Sequence, residues 1–352
     1  MTGRSSIRRG VAHAALAAAL FGATAPFLKL ASSGGGPFVT SAVLYFGAAT
    51  SAAVMMLARG GWNTSRWPSR HAWPRLLLVA ALGAACGPAL LVGGLKHSDA
   101  ATASLLLILE APLTLLLARL FLREPTPARI AVAALLIAAG GVVLLGRPAG
   151  STTWLGGALV AASALVWALD NLFSRGLADN DPSGVVALKG AIGGLLAACV
   201  AAAVDEPLPS LGMSLALFGL GAVGYGVSLQ LYLRAQHVMG AGRTASVFAT
   251  APFVGATVAL LVAGTWPSWQ LAIASAVMAA GVWLHATERH RHRHGHDAVE
   301  HDHWHRHDDG HHDHPHAPIA VGAHSHPHAH DAAEHEHDHG DDLHHRHPHG
   351  QQ

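Results

Sequence analysis

The chain has 352 residues, of which 51% are hydrophobic and only 12% are charged. This charged share is about half that of an ordinary soluble domain and excludes a plain soluble globular protein. Thirteen of the 21 acidic residues follow Ala286, so the formal net charge of +1 averages two unlike parts. The composition therefore predicts an apolar membrane domain followed by a polar tail.

Ten apolar stretches in the first 287 residues are long enough to cross a bilayer, which takes ~20 residues in a helix. Glycine and proline residues separate them, as expected for turns. The predicted fold class is an all-α membrane protein with ten transmembrane helices. The predicted spans are 10–30, 38–58, 74–95, 98–121, 127–146, 153–175, 183–204, 211–236, 241–264 and 267–287.

The first apolar stretch follows Arg4, Arg8 and Arg9, as the apolar part of a secretory or twin-arginine signal does. Residues 21–29, however, have a counterpart at 167–175, and a segment in the middle of a chain cannot be a signal. We therefore expect the first stretch to be a retained transmembrane helix.

An internal repeat runs through the apolar part of the chain. Two dipeptides recur at an offset of 140 residues, and the segment 21–29 aligns with 167–175 at an offset of 146. Such duplication predicts a fold built from two copies of one unit. The recurring dipeptides are Ala111-Pro112 with Ala251-Pro252, and Gly141-Val142 with Gly281-Val282.

The repeat predicts three domains: a first five-helix unit at 1–146, a second at 147–287 and the tail at 288–352. Because five is an odd number, the second unit must enter the membrane upside down relative to the first. Many secondary transporters follow this inverted plan and place the substrate near the midplane between the two halves.

The distribution of basic residues predicts the orientation in the membrane. If the N-terminus is cytoplasmic, 18 arginines lie on that side, whereas Lys29, Lys96 and Arg147 lie on the other and Lys189 falls inside a helix. Short cytoplasmic loops are enriched in lysine and arginine. We therefore expect both termini to be cytoplasmic and the protein to reside in a bacterial cytoplasmic (inner) membrane.

Three segments, FGATAPFLKL, SLLLILEAPLTLLLARLFLREPTPARI and WALDNLFSRGL, resemble the EamA-domain transporters of the ten-helix drug/metabolite transporter superfamily. The resemblance covers about residues 10–287 and stops before the tail. It implies two inverted five-helix bundles around a central cavity that carries small organic solutes, with export slightly favoured and no catalysis. Glu124 matches the glutamate that usually ends the fourth helix, but its repeat counterpart is Gly264.

Glu110 is the most informative ionisable residue within a predicted span. It lies about halfway along the fourth stretch, just before Pro112, which removes a backbone hydrogen bond and bends a helix. A charge at this depth costs ~2.5–3.5 kcal/mol on insertion scales. We predict that Glu110 faces the cavity and binds a cationic group or carries a coupling proton. The alternative is a protonated or hydrogen-bonded structural glutamate.

Other polar residues within the spans are weaker candidates for the cavity. Asp170 and Asn171 fit either the cavity mouth or an interface solvated by water. For Lys189 we expect a side chain that snorkels to the cytoplasmic headgroups, with pairing to Asp170 as the alternative. The remaining candidates are Trp167 for a cavity wall or for packing, and Tyr225 and Gln230 for hydrogen bonds to a substrate.

The segment from Glu288 to Gln352 contains 23 histidines and 13 acidic residues. Because it has few apolar residues to bury, we expect it to be disordered. Neutral imidazole is a good ligand for zinc, nickel, cobalt and copper, so we expect several weak sites for these ions. The candidate ligands are His292, His294, His296, His301, His303, His305, His311, His312, His314, His335, His337 and His339.

The preferred functional hypothesis is a secondary transporter of small organic solutes, working by alternating access and requiring no cofactor. No GxxxxGK[ST] segment is present in the sequence, so ATP hydrolysis is not expected. The expected partners are a small-molecule substrate, the lipid bilayer and divalent metals at the tail, with no nucleic acid. The alternative is a divalent-metal transporter or a metal-responsive membrane protein, and a tail that only buffers metal, responds to pH or is weakly selected also stays open.

Overall fold

The structure, a computed structural model, describes most of the chain. The described residues are 2–58, 68, 70–123, 126–146, 151–177, 182–287, 290–296, 299–305, 324–330 and 333–339. The chain divides at Glu288 into a helical unit and a tail unit, Met1–Glu288 and Arg289–Gln352.

In the described part of the helical unit, ten helices are long and apolar enough to cross a membrane. Each lies within four residues of a predicted span at either end, which confirms the helical prediction. Their bounds are α1 Ile7–Ala31, α2 Pro37–Ala58, α3 Arg70–Lys96, α4 Ala100–Leu122, α5 Ala128–Gly146, α6 Trp154–Ser174, α7 Ser183–Ala203, α8 Leu211–Gln236, α9 Gly242–Ala263 and α10 Trp269–Ala286.

Several of these helices change their pitch partway along. Helices α3 and α8 each contain a wider π-helical segment, and α4 contains a tighter 3-10 turn, while short turns interrupt α1 and α9. A short 3-10 turn, Arg175–Leu177, follows α6. The pieces in order are Thr2–Gly22 and Thr24–Ala31; Arg70–Ala72, Trp73–Ala80, Ala81–Cys86 and Gly87–Lys96; Ala100–Leu106, Leu107–Leu109 and Glu110–Leu122; Leu211–Leu220, Gly221–Val227 and Ser228–Met239; Ala241–Phe248 and Ala251–Ala263.

These irregularities recur at the spacing of the sequence repeat. The π-helical segments begin at Ala81 and Gly221, which are 140 residues apart. Helices α4 and α9 are interrupted just before their Ala-Pro dipeptides, and both end at a residue with left-handed backbone, Arg123 at φ 56° and Gly264 at φ 64°. The duplication is therefore visible in the backbone as well as in the residues.

The helices of one half pack against those of the other. Helix α2 lies on α7, α4 on α9 and α5 on α10, and α1 packs on α8 as α3 packs on α6. Fully buried leucines and a methionine fill the junction, and they include Leu28, Leu44, Leu91, Leu105 and Met278. Most of the apolar core is thus shared by the two halves.

Polar contacts tie together the end of the bundle at which α1 ends and α2 begins. The Glu206 carboxylate, just after α7, accepts hydrogen bonds from the backbone N–H groups of Phe38 (3.2 Å) and Val39 (2.8 Å) at the start of α2. Lys29 donates to the Leu95 carbonyl at 3.0 Å, near the end of α3. These bonds satisfy backbone groups that helix ends leave unpaired.

The tail unit contains four β-strands in its described residues. They are β1 His290–His296, β2 Val299–His305, β3 His324–His330 and β4 Ala333–His339. Strands β1 and β4 form one antiparallel ribbon, and β2 and β3 form another. The expectation of a disordered tail is thus not confirmed for these residues, because histidine at every second position suits the two-residue period of a strand. The candidates His311, His312 and His314 lie outside the described residues.

We predict that Glu206→Ala lowers the thermal stability of the detergent-solubilised protein, because α2 loses the carboxylate that caps its N-terminus. Loss of such a cap typically costs ~0.5–2 kcal/mol. Glu206→Gln should lose less, since one acceptor oxygen remains. Leu208→Ala serves as the matched control, because Leu208 is 78% exposed beside the cap. Equal melting temperatures for Glu206→Ala and the control would contradict this role.

Candidate functional site

The π-helical segment of α3 leaves two backbone carbonyls without their usual helical donors. The N–H of Gly87 bonds to the carbonyl of Leu82, five residues back, and not to that of Gly83. Pro88 has no N–H to offer the carbonyl of Ala84. The Gly83 and Ala84 oxygens are therefore open to donors from neighbouring helices, as π-helical segments commonly allow.

Side chains from α2 and α6 donate to these two carbonyls. Tyr45 Oη and Trp167 Nε1 both donate to the Gly83 oxygen, at 2.7 and 3.0 Å. Ser41 Oγ lies 3.0 Å from the Ala84 oxygen. Trp167, a candidate for a cavity wall, is buried here and joins α6 to α3. The irregular turn of α3 is thus the point where three helices are fixed together.

An ion pair lies next to this turn. Lys189 Nζ on α7 contacts Asp170 Oδ2 on α6, and Ser174 Oγ donates to the other Asp170 oxygen at 3.3 Å. The Asp170 side chain is 7% exposed and that of Lys189 21%. The expectation that Lys189 snorkels to the headgroups is therefore wrong. Inside an apolar bundle, a nearby carboxylate stabilises the ammonium more directly than a distant headgroup does.

Gly83 provides the space in which this ion pair fits. A Cβ atom at position 83 would overlap Asp170 Oδ2 and lie 2.8 Å from Lys189 Nζ. Glycine lets the two charged side chains reach the backbone of α3. Helices α3, α6 and α7 therefore meet at one residue that cannot be enlarged without displacing the pair.

Glu110 lies near this ion pair, on α4. Its Oε1 accepts a hydrogen bond from Asn171 Nδ2 at 2.6 Å, which links α4 to α6. Glu110 interacts electrostatically with Asp170 and Lys189, and also with Tyr225 on α8. It is nevertheless only partly buried. Its hydrogen-bond partner Asn171 is exposed as well, so this part of α4 and α6 keeps accessible surface.

Pro112 acts on the backbone of α4, near Glu110. The 3-10 turn Leu107–Leu109 ends just before Glu110, and Pro112 lies in the first turn of the α-helical piece that follows. The change of helix type thus falls just before the Ala111-Pro112 dipeptide, whereas the sequence predicted a bend at the proline.

Aromatic side chains from four helices form a continuous cluster that includes Tyr225. The Tyr225 ring lies 5.4 Å from that of Tyr45 and 5.5 Å from that of Phe21. Phe248 lies 5.4 Å from Phe21 and 4.9 Å from Tyr232. These contacts connect α1, α2, α8 and α9. Tyr45 belongs both to this cluster and to the polar contacts at Gly83, so it joins the two.

Gln230 contacts a different residue. Its amide lies 3.0–3.1 Å from the Ser183 hydroxyl at the start of α7, and its side chain is almost completely buried. Gln230 therefore joins α8 to α7 by these hydrogen bonds.

An apolar groove with a volume of about 570 Å³ lies between α1 and α8, on one side of the bundle. Phe27 and Leu30, which line it, are 42% and 55% exposed. None of the candidate residues lines this groove. Its apolar lining and open side are typical of a surface that contacts lipid chains.

Sequence reasoning missed Ser41, Tyr45 and Gly83 as members of the polar cluster. One signal was available, since Pro88 inside a long apolar stretch predicts an interrupted helix with unpaired carbonyls. Which neighbouring side chains reach those carbonyls depends on how the helices pack.

Comparison with known proteins identifies a family. A model of the EamA-like transporter family matches residues 8–147 and 154–287. An "Uncharacterized transporter" from Methanothermobacter thermautotrophicus is 30% identical over 217 residues, which are 59% of this chain and 63% of that protein. The chain thus spans less than two thirds of that relative. One crystal structure of a protein that is 23% identical in sequence to this chain has the same fold, with a TM-score of 0.58. The match covers 80% of this chain and 96% of the crystallised chain.

We predict that Gly83→Ala lowers stability in detergent, because the added methyl group overlaps the Asp170–Lys189 pair. Overpacking of this kind typically costs ~1–3 kcal/mol. Gly219→Ala on α8 is the matched control, since a Cβ there meets nothing within 4 Å. Thermal unfolding of the two variants measures the difference. If Gly83→Ala melts like Gly219→Ala, the close approach described here does not exist in solution.

Proposed function

The chain belongs to the EamA-like transporter family, and we propose that it is a secondary active transporter that exports small organic solutes, such as amino acids or related metabolites. The observation that carries the proposal is the Asp170–Lys189 pair beside Glu110, inside a bundle of apolar helices. Charged side chains at membrane depth are costly and usually lie on the path of a substrate or ion.

The charges on these three residues suit a solute that carries both signs. A zwitterion has an ammonium group for Asp170 or Glu110 and a carboxylate for Lys189. When such a solute enters between Asp170 and Lys189, its ammonium group pairs with the aspartate and its carboxylate with the lysine, so neither charge of the internal pair is left unpaired. The aromatic cluster around Tyr225 supplies apolar surface for the rest of the solute. Amino acids and related metabolites fit this description.

We further propose alternating access between two inverted units, residues 1–146 and 147–287. Three helices, α2, α4 and α5, pack against their counterparts in the other half, and α1 and α3 pack against each other's counterparts. This packing supports the mechanism, because the two units can rock about their shared core. The end tied by Glu206 lies opposite the arginine-rich loops. If both termini are cytoplasmic, this end faces out of the cell, and opening it requires Glu206 to leave the start of α2.

The protein is a multi-pass membrane protein, and we place it in a bacterial cytoplasmic membrane with both termini inside. Transport of a divalent metal is the alternative. Among the described residues of the ten helices, no three His, Cys, Asp or Glu side chains are placed to hold an ion.

A growth panel tests the proposed function. Cells that lack or overproduce the protein are exposed to amino-acid analogues, toxic metabolites and salts of zinc, nickel, cobalt and copper, with the full chain and with residues 288–352 deleted. We expect resistance to one organic class that persists without the tail. Altered metal tolerance with no organic phenotype would contradict the proposal.

We predict that Glu110→Gln abolishes or strongly reduces that resistance, because glutamine cannot carry a proton or pair with a cation. Asn171→Ser is the matched comparison, since it removes the hydrogen bond to Glu110 but leaves the carboxylate. Resistance is measured at equal protein amounts in the membrane. Full resistance with Glu110→Gln would contradict this prediction and would mean that the carboxylate has only a structural role.

A further inference from the structure

The register of the two tail ribbons brings histidines opposite each other. In the first ribbon, three successive same-face positions of β1 and β4 pair histidine with histidine, and β2 and β3 do the same in the second. The opposed pairs are His290 with His339, His292 with His337, His294 with His335, His301 with His328, His303 with His326 and His305 with His324.

The positions between these pairs carry other residues. In the first ribbon Arg291 is opposite Asp338, and Arg293 is opposite Glu336. Opposite charges directly across an antiparallel pair stabilise that pairing by roughly 0.2–1 kcal/mol each. A slip of the register by one residue would lose both the charge pairs and the histidine pairs. The charge pattern therefore favours the register that opposes the histidines.

We infer that the opposed histidines of the two ribbons form binding sites for divalent transition-metal ions such as Zn²⁺. Directly opposite residues of an antiparallel pair have Cβ atoms ~4.5–5.5 Å apart, and successive same-face positions are separated by ~7 Å. Two adjacent histidine pairs therefore place four imidazole-bearing residues within a few ångströms of one point. Zinc prefers four ligands, and imidazole nitrogen is among the commonest. Each ribbon has residues for at least one such site.

Metal also explains how ribbons of this composition are stable. An isolated two-stranded ribbon is only marginally stable in water, and these strands contain few apolar residues. Metal bound across the strands adds its binding free energy to ribbon formation, as it does in small zinc domains. These sites lie in the tail alone and do not depend on what the membrane helices transport.

The test uses the full-length protein in detergent and Zn²⁺ as the probe. Two double variants each remove two histidines. The opposed variant, His292→Ala with His337→Ala, removes one pair from one ribbon. The split variant, His292→Ala with His303→Ala, breaks one pair in each ribbon. Zinc binding is followed by calorimetry, and ribbon formation by backbone hydrogen exchange across residues 290–339 with and without zinc.

We expect the split variant to bind fewer zinc ions tightly than the opposed variant does, because it damages both ribbons. Zinc should slow hydrogen exchange in all four strands of the wild type, and in the opposed variant only β2 and β3 should keep the full effect. Equal zinc binding by the two variants would overturn the inference, since it would mean that only the number of histidines matters. Zinc binding without slower exchange in the strands would overturn it as well.

Discussion

A lysine and an aspartate held together among apolar helices are the feature on which the rest of the membrane unit depends. Removing two charges from water costs several kcal/mol per ion, and the cost is recovered only when both partners are well placed. The Asp170–Lys189 pair achieves this by lying against Gly83, with Ser174 bonded to the second carboxylate oxygen. Helices α3, α6 and α7 are therefore fixed relative to one another by an electrostatic requirement.

The π-helical segment of α3 makes this arrangement possible. Pro88 and the wide turn before it leave backbone carbonyls without their helical donors. Tyr45, Trp167 and Ser41, from two other helices, donate hydrogen bonds to these carbonyls. In a helix with regular hydrogen bonding, each of these carbonyls would already accept a bond from a backbone N–H. The same residues that lock the helices also surround the charges. A solute that competes for the ion pair would therefore act on contacts between the two halves.

Hydropathy was sufficient to predict the ten helices, because runs of about 20 apolar residues have few other outcomes. Helices α4 and α9 are both interrupted just before an Ala-Pro dipeptide of the repeat, which the sequence did not predict. The site was predicted less well. Asp170 and Glu110 stood out because charges are rare in such helices, but the partner of Lys189 depends on how α6 and α7 pack. Gln230 looked like a cavity residue, and only packing reveals Ser183 beside it.

The tail shows a different limit of sequence reasoning. Its composition predicted disorder, because it lacks apolar residues, while its alternation of histidine with other residues matches the period of a strand. Composition describes whether a segment can bury a core, and it does not describe backbone pairing between segments. In the register of β1 with β4, arginines lie opposite acidic residues that are more than 40 residues away in the chain. No local sequence pattern predicts this pairing.

We propose that the Asp170–Lys189 pair serves substrate movement and not folding alone. The most direct measurement compares thermal stability and solute resistance for Asp170→Asn, Lys189→Met and the double variant. Breaking a buried pair strands one charge, whereas removing both partners is often nearly neutral for stability. We expect the double variant to recover the stability lost by the single variants but to confer no resistance. A double variant that recovers both would show that the pair only holds the helices together.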